Sequence, residues 1–387
     1  MKRIPVTVTV VLTAFIILMD VRGLLVMWKP YGLQLHTPPR AELQRSIPLG
    51  GLAWAQKGSV SLRAALIEPA SGNALAEIPI ARDRVEYQGK VLYELASFRA
   101  HIQAPEAGTY LLRIELLDET SVPRARVERT ISVLDNAPDR EFRMFSPSHF
   151  AALAVLFVLC LGLLWLCRSD ALTSNAKEWL AFVMYTLMLV NEAVYHVYWQ
   201  SKGAWSVSTA LMFHMCGLSI LLLPWLFIVK PGRFGRILFE MMYFWGFGGA
   251  LQALLTPDIG LLGYPSFKYF SFFISHGFII LLTLYASFTL PYRITVKSLV
   301  RVIGISNLII FIIYIINKLV VFLPPYEVGN YFVLSYPPLT GSLVDVFVAL
   351  FGPSPWYFIG FELMGFVVFG ILTVPWYIGK VKKHDTL

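Results

Sequence analysis

"LMFHMCGLSILLLPW", residues 211–225, is apolar enough at both ends to lie in lipid, yet it carries His214 and Cys216 two positions apart. Polar groups at that depth cost free energy unless they are paired or used. The stretch therefore poses two questions together: whether the chain crosses a membrane, and what a histidine and a thiol do inside it. The composition answers the first. Of the 387 residues, 57% are hydrophobic and 14% charged, against about 25% charged in soluble domains.

Apolar runs long enough to cross a hydrocarbon layer about 30 Å thick recur along the chain. Eight spans are expected, near 4–28, 148–167, 178–200, 206–229, 236–256, 269–290, 298–323 and 355–379. Loop charge sets the orientation. With a cytoplasmic N-terminus, the inner segments carry Lys2, Arg3, Arg168, Lys177, Lys230, Arg233, Arg236, Arg293, Lys297, Arg301, Lys380, Lys382 and Lys383, and the short outer loops only Lys202 and Lys268. Both termini are expected in the cytoplasm. The net charge of +8 is then mostly a topology signal and calls for no nucleic-acid partner. The opening "MKR" before an apolar run reads as an uncleaved signal anchor, since no small-residue cleavage site follows it.

Between spans 1 and 2, residues 29–145 have the composition of a soluble extracytoplasmic domain. In "GTYLLRIELLDE", residues 108–119, Tyr110, Leu112, Ile114 and Leu116 alternate with polar neighbours. "SVSLRAALIEP", "KVLYELASFRAHI" and "ARVERTISVLD" read as further strands. "PEAGTY" has the spacing of a tyrosine corner, so an immunoglobulin-like β-sandwich is expected. Cys160, Cys167 and Cys216 all fall in expected spans, so no disulfide framework holds this domain. Ser148 is a candidate N-cap for the second span. The expected whole is an α-helical polytopic membrane protein: an anchor (1–28), the sandwich (29–145) and a seven-helix domain (146–387).

On that topology Glu192, His196, His214, Cys216, Gln252, His276 and Glu362 gather in the outer half of the membrane. Single polar residues in spans are often packing hydrogen bonds worth about 0.6 kcal/mol. Several ionisable groups at one level point instead to an interior site. A thiol and an imidazole make a nucleophile and base. His214 and Cys216 point about 200° apart on a helix of 3.6 residues per turn, so His276 from another span is the better base. Glu192 or Glu362 would orient it, while Gln252 or Tyr269 would donate to an oxyanion. Glu192 and His196, four apart, can touch. The spacing matches no established metal motif, and neither metal nor cofactor is assigned. The rival readings are a proton-coupled transporter and a non-catalytic receptor or assembly factor.

"FSPSH" (145–149), "FHMCGLS" (213–219), "YFWGFGGALQALLTPDI" (243–259), "FFISHGFIILLTLY" (272–285), "GNYFVLSYPP" (329–338) and "PWYFIGFEL" (355–363) together resemble the YwaF-like family of bacterial integral membrane proteins. The resemblance covers about residues 143–379. That family is similar to an animal multi-pass acyltransferase that moves fatty acyl chains between glycerophospholipids. The resemblance implies Cys216 and His276 as the catalytic pair, a phospholipid as partner and an acyl-thioester intermediate. Gly217 departs from it, since bacterial relatives often carry an acidic or polar residue after the cysteine. The outer sandwich would meet an acceptor, an envelope polymer or a partner protein.

Overall fold

The computed structural model describes residues 3–36, 42–135, 142–169, 172–257, 259, 262–337 and 343–384. An N-terminal helix α1 (Arg3–Met27) leads into the strands β1 (Tyr31–Leu35), β2 (Glu42–Leu43), β3 (Ser46–Ala55), β4 (Ser61–Ile67), β5 (Ala74–Ile80), β6 (Arg82–Tyr87), β7 (Lys90–Gln103), β8 (Gly108–Leu117) and β9 (Pro123–Val133). They form two sheets, β1-β3-β7-β6 and β2-β9-β8-β4-β5, antiparallel except where β2 meets β9. The alternation read in residues 108–119 is the inward face: Leu112, Ile114 and Leu116 are fully buried against Leu35, Ile47, Leu66, Phe98 and Ile102. The Tyr110 hydroxyl donates to the Glu106 carbonyl at 2.8 Å, closing the corner. Tyr110→Phe is expected to destabilise the sandwich by about 1 kcal/mol, read as faster amide exchange in β8.

The solvent face of the five-stranded sheet carries a row of charge. Arg63, Glu115 and Arg126 lie directly opposite one another on β4, β8 and β9, with contacts of 2.7 and 2.6 Å. The Arg63 guanidinium, aided by Arg126, holds the Glu115 carboxyl below its ordinary range.

After the sandwich come α2 (Pro147–Arg168), α3 (Ser174–Ser201), α4 (Met215–Ile228), α5 (Arg233–Trp245), a π-helical turn (Gly246–Ala250), α6 (Leu251–Leu255), α7 (Phe267–Thr289), α8 (Val296–Leu319), α9 (Leu343–Phe351) and α10 (Phe358–His384). Ser146, not Ser148, caps α2: its hydroxyl accepts from His149 N and Pro147 takes the first helical position. Among the described residues six helical stretches are long and apolar enough to cross a membrane, residues 4–27, 147–168, 174–201, 267–289, 296–322 and 358–378. The chain is a multi-pass helical membrane protein with a β-sandwich-like N-terminal region.

The other two expected spans differ from the expectation. Residues 206–214 are not helical, and α4 has 14 residues, about 21 Å of helix. The fifth is interrupted by the π-helical turn. There "GFGGA" has no side chains to spare. A Cβ on Gly246 would lie 2.2 Å from Thr283 Oγ1, and one on Gly249 2.8 Å from Met215 Sδ. The glycines let α7 and α4 close on this turn. Gly246→Ala is expected to cost about 1–3 kcal/mol through overpacking, seen as a lowered melting temperature in detergent.

The sandwich rests on the helices. Leu52, Trp54 and Ala96 bury against Met27, Trp205, Val207 and Val320. Gly32 is required here, because a Cβ would fall 1.9 Å from the Trp54 ring. Glu327, 5% exposed, joins the two parts: one carboxylate oxygen accepts from Ala96 N at 2.7 Å and the other from the Ser208 hydroxyl at 2.5 Å.

Two titrations act on this region with opposite signs. Burial raises the Glu327 carboxyl above its ordinary value. Its contribution is therefore greatest below the ordinary carboxyl range and falls as pH rises through its raised value. Burial, with the Lys268 and Arg129 charges adding, lowers His36 from 6.5 to about 4. Its contribution is present above pH 6.5 and is lost as pH falls toward about 4. Glu327→Gln is expected to remove the first dependence and His36→Gln the second, each read as a difference melting curve against wild type.

Candidate functional site

The break before α4 organises the site. Residues 206–214 run as irregular backbone where a helix was expected, and their polar groups are met by partners distant in sequence. Tyr331, fully buried, donates its hydroxyl to the Val207 carbonyl and accepts from Leu211 N at 3.0 Å. Asn330 N donates to the Ser208 carbonyl at 3.2 Å. Tyr331 is itself held by Asn317, whose amide donates to Tyr331 O and accepts from Tyr331 N, both at 3.0 Å. The "GNYFVLSYPP" motif is thus the scaffold that holds a broken span open. Non-helical backbone at this depth is tolerated only when buried in protein or lining a cavity.

The scaffold sets where α4 begins. His214 is its N-cap residue and makes no side-chain cap; its ring lies against Tyr331, centroids 5.1 Å apart. Cys216 is the second helical residue and is half-buried. The first N–H groups of a helix lack intrahelical acceptors and carry the positive end of its dipole. A thiolate or an oxyanion at that point is stabilised. Gly217 is explained by the same fold: a Cβ there would lie 3.0 Å from the Met212 backbone.

His276 stands about two and a half turns into α7, about 13 Å from the helix start. Its Nδ1 lies 2.8 Å from the Phe272 carbonyl. A carbonyl only accepts, so Nδ1 carries the hydrogen and the neutral ring presents its lone pair at Nε2. That is the tautomer a base needs. Among the described residues no hydrogen bond joins Cys216 to His276. Both lie within electrostatic reach of Glu192 on α3. Asn191 clamps the two helices by donating to Ser271 O at 3.0 Å and Ser275 Oγ at 2.7 Å.

The remaining candidates separate. His196 Nε2 faces Glu192 Oε1 at 3.4 Å, and its Nδ1 faces Asp20 Oδ1 of α1 at 3.1 Å. Fully buried, this imidazole lies between two carboxylates. Asp20, on α1, was not among the candidate residues of the sequence. Gln252 is exposed on α6, and Glu362 on α10 accepts from Asn307 of α8 at 3.1 Å. Among the described residues no hydrogen bond joins either of them to Cys216, His276 or Glu192. Tyr269 is committed to the Ser148 carbonyl at 2.6 Å and so is not an oxyanion donor. His149, in "FSPSH", is also committed: its Nδ1 accepts from Phe145 N and its Nε2 donates to Leu254 O.

The fold defines a polytopic helical membrane protein with a β-sandwich-like N-terminal region, and it holds buried polar groups beside the start of α4. A family model described as the TMEM164 family matches residues 144–373, more than half of the chain, and the chain belongs to that family. α1 and the sandwich lie outside the matched region. Among curated proteins none matches. Among solved structures it is similar to a family 76 glycoside hydrolase from a bovine Bacteroides thetaiotaomicron strain, at 11% identity and a TM-score of 0.19. That alignment covers 55% of this chain and spans about half, 51%, of the hydrolase chain. So low a score carries no argument about fold or activity.

Proposed function

We propose that the protein is a membrane-embedded lipid acyltransferase that uses Cys216 as nucleophile and His276 as general base. The observation that supports it most is the position of Cys216 in the first turn of α4, whose N-cap residue His214 makes no side-chain cap. The Cys216 sulfur attacks an ester carbonyl of a phospholipid. The S–C bond forms as the ester C–O bond breaks. His276 Nε2 takes the thiol proton and passes it to the departing lysophospholipid oxygen. An acceptor hydroxyl then gives its proton to Nε2 and attacks the thioester, which restores the thiol. The N–H groups at the start of α4 meet the oxyanion in both halves. With water as acceptor the same steps hydrolyse the lipid.

In this reading both termini are cytoplasmic and the sandwich, residues 29–145, is extracytoplasmic, where it meets the acceptor, an envelope polymer or a partner protein. The test is to incubate protein in proteoliposomes with a phospholipid carrying an alkyne-tagged acyl chain. Capture on Cys216, located by peptide mass spectrometry and released by hydroxylamine, is the expected outcome. No capture alongside lipid turnover would remove the thioester, and no turnover would remove the enzyme reading. The Asp20–His196–Glu192 row favours a second reading, a proton-coupled transporter; it predicts pH-driven solute flux that survives Cys216→Ala.

A further inference from the structure

A groove of about 820 Å³ opens at the end of the helix bundle away from the sandwich, lined by Arg233, Arg236, Ile237, Tyr292, Arg301 and Ile305 among others. It lies far from Cys216. Along α8, Arg301 is about 25 Å from Lys318, and Lys318 meets Tyr93 of the sandwich at 3.2 Å. Arg233 and Arg236, three apart in the first turn of α5, share a face of that helix. Arg301 faces them from α8.

The charges are not balanced. Arg301 Nη1 donates to Glu240 Oε2 at 2.6 Å, and Glu240 is buried and also accepts from the Ser298 hydroxyl. No carboxylate lines the groove. Among the described residues, the guanidinium groups of Arg233 and Arg236 have no hydrogen bond or ion pair. The Tyr292 hydroxyl accepts from Gly232 N at 3.3 Å, which leaves its own hydrogen to donate. Gly235 permits this placement, since a Cβ would lie 2.3 Å from that hydroxyl. The floor is different: Ile305 lies about one turn further along α8 than Arg301, and Ile237 about one turn further along α5 than Arg233. Cationic rim, hydroxyl donor and apolar floor match an amphiphile with its anion at the membrane surface. A soluble anion would have no use for the floor.

We propose that this groove binds the phosphodiester headgroup of an anionic glycerophospholipid in the leaflet opposite the sandwich. Arg233 and Arg236 pair with the phosphate, Tyr292 donates to it, and the first carbons of the acyl chains lie along Ile237 and Ile305. Arg301 shapes the groove while its charge is met by Glu240. The site is separate from Cys216 and does not depend on the acyltransferase reading.

The test titrates phosphatidylglycerol into the full-length protein in mild detergent, with retained lipid counted by native mass spectrometry. Arg233→Gln with Arg236→Gln is expected to weaken binding by about 30-fold, at about fivefold per cation. Arg293→Gln with Lys297→Gln, which removes two cations on the same side outside the groove, is expected to change it by less than about threefold. Unchanged lipid-free melting shows that the variants fold. Equal weakening by both pairs would reduce the effect to general surface charge and overturn the proposal, as would unaltered binding in the first pair. Glycerophosphate binding as tightly as the lipid would make the ligand a soluble phosphate compound and overturn the lipid assignment.

Discussion

Cys216→Ala is expected to take up no acyl label from a tagged phospholipid, while Cys160→Ala and Cys167→Ala label as wild type does. The three thiols differ in surroundings rather than in kind. All three pack against the same helical core, Cys160 and Cys167 in the body and last turn of α2. Cys216 alone stands at a helix N-terminus, where the helix dipole favours a thiolate. His276→Ala is expected to slow capture by at least about a hundredfold, the range for loss of a general base. Since Nδ1 is occupied by the Phe272 carbonyl, the loss belongs to Nε2. Raising pH should recover part of the His276→Ala rate by supplying thiolate, and should recover none of the Cys216→Ala rate. Equal labelling of all three cysteines, or a His276→Ala rate close to wild type, would end the proposed pairing.

The second large effect is on stability and does not require an enzyme. His196→Ala removes the imidazole from between the part-buried Asp20 and the buried Glu192, which leaves two carboxylates facing each other. Removing one partner of a buried ion pair typically costs about 3–5 kcal/mol. The loss should appear as a lower melting temperature and as separation of α1 from α3, which otherwise share Arg22–Gln200 and Gln200–Met19 contacts as well. Asp20→Asn combined with His196→Gln keeps the shapes and removes two of the charges, so it should cost clearly less than His196→Ala alone. If the double substitution were the more damaging, the row would be held by something other than charge.

Most of the architecture could be read from the sequence because its signals are local. Alternation along residues 108–117 named the buried face of β8, and apolar length named six of the helices. The break before α4 could not be read, because hydropathy registers 206–229 as one apolar run. What prevents a helix there is a set of partners more than a hundred residues away: Glu327 for Ser208, Tyr331 for Val207 and Leu211. The candidate site divides along the same line. Depth along a helix follows from counting residues, so Glu192, Cys216 and His276 were grouped at one level. Which way a helix face turns depends on its neighbours, so counting residues could not pair Glu362 with Asn307. Asp20 was missed because its meaning lies in His196, on a helix whose partner could not be known from either segment.

The contact between Glu327 and Ala96 spans 231 residues, and that separation has a temporal meaning. The ribosome makes the sandwich long before it makes the segments on which the sandwich rests. At about 5–20 residues per second, Ala96 waits roughly 10–50 s for Glu327. Of the seat for Leu52 and Trp54, Met27 is made before them, whereas Trp205 and Val207 and then Val320 are made later. The outer domain is therefore complete while part of its apolar face still waits for cover, and its docking on the helices proceeds in steps.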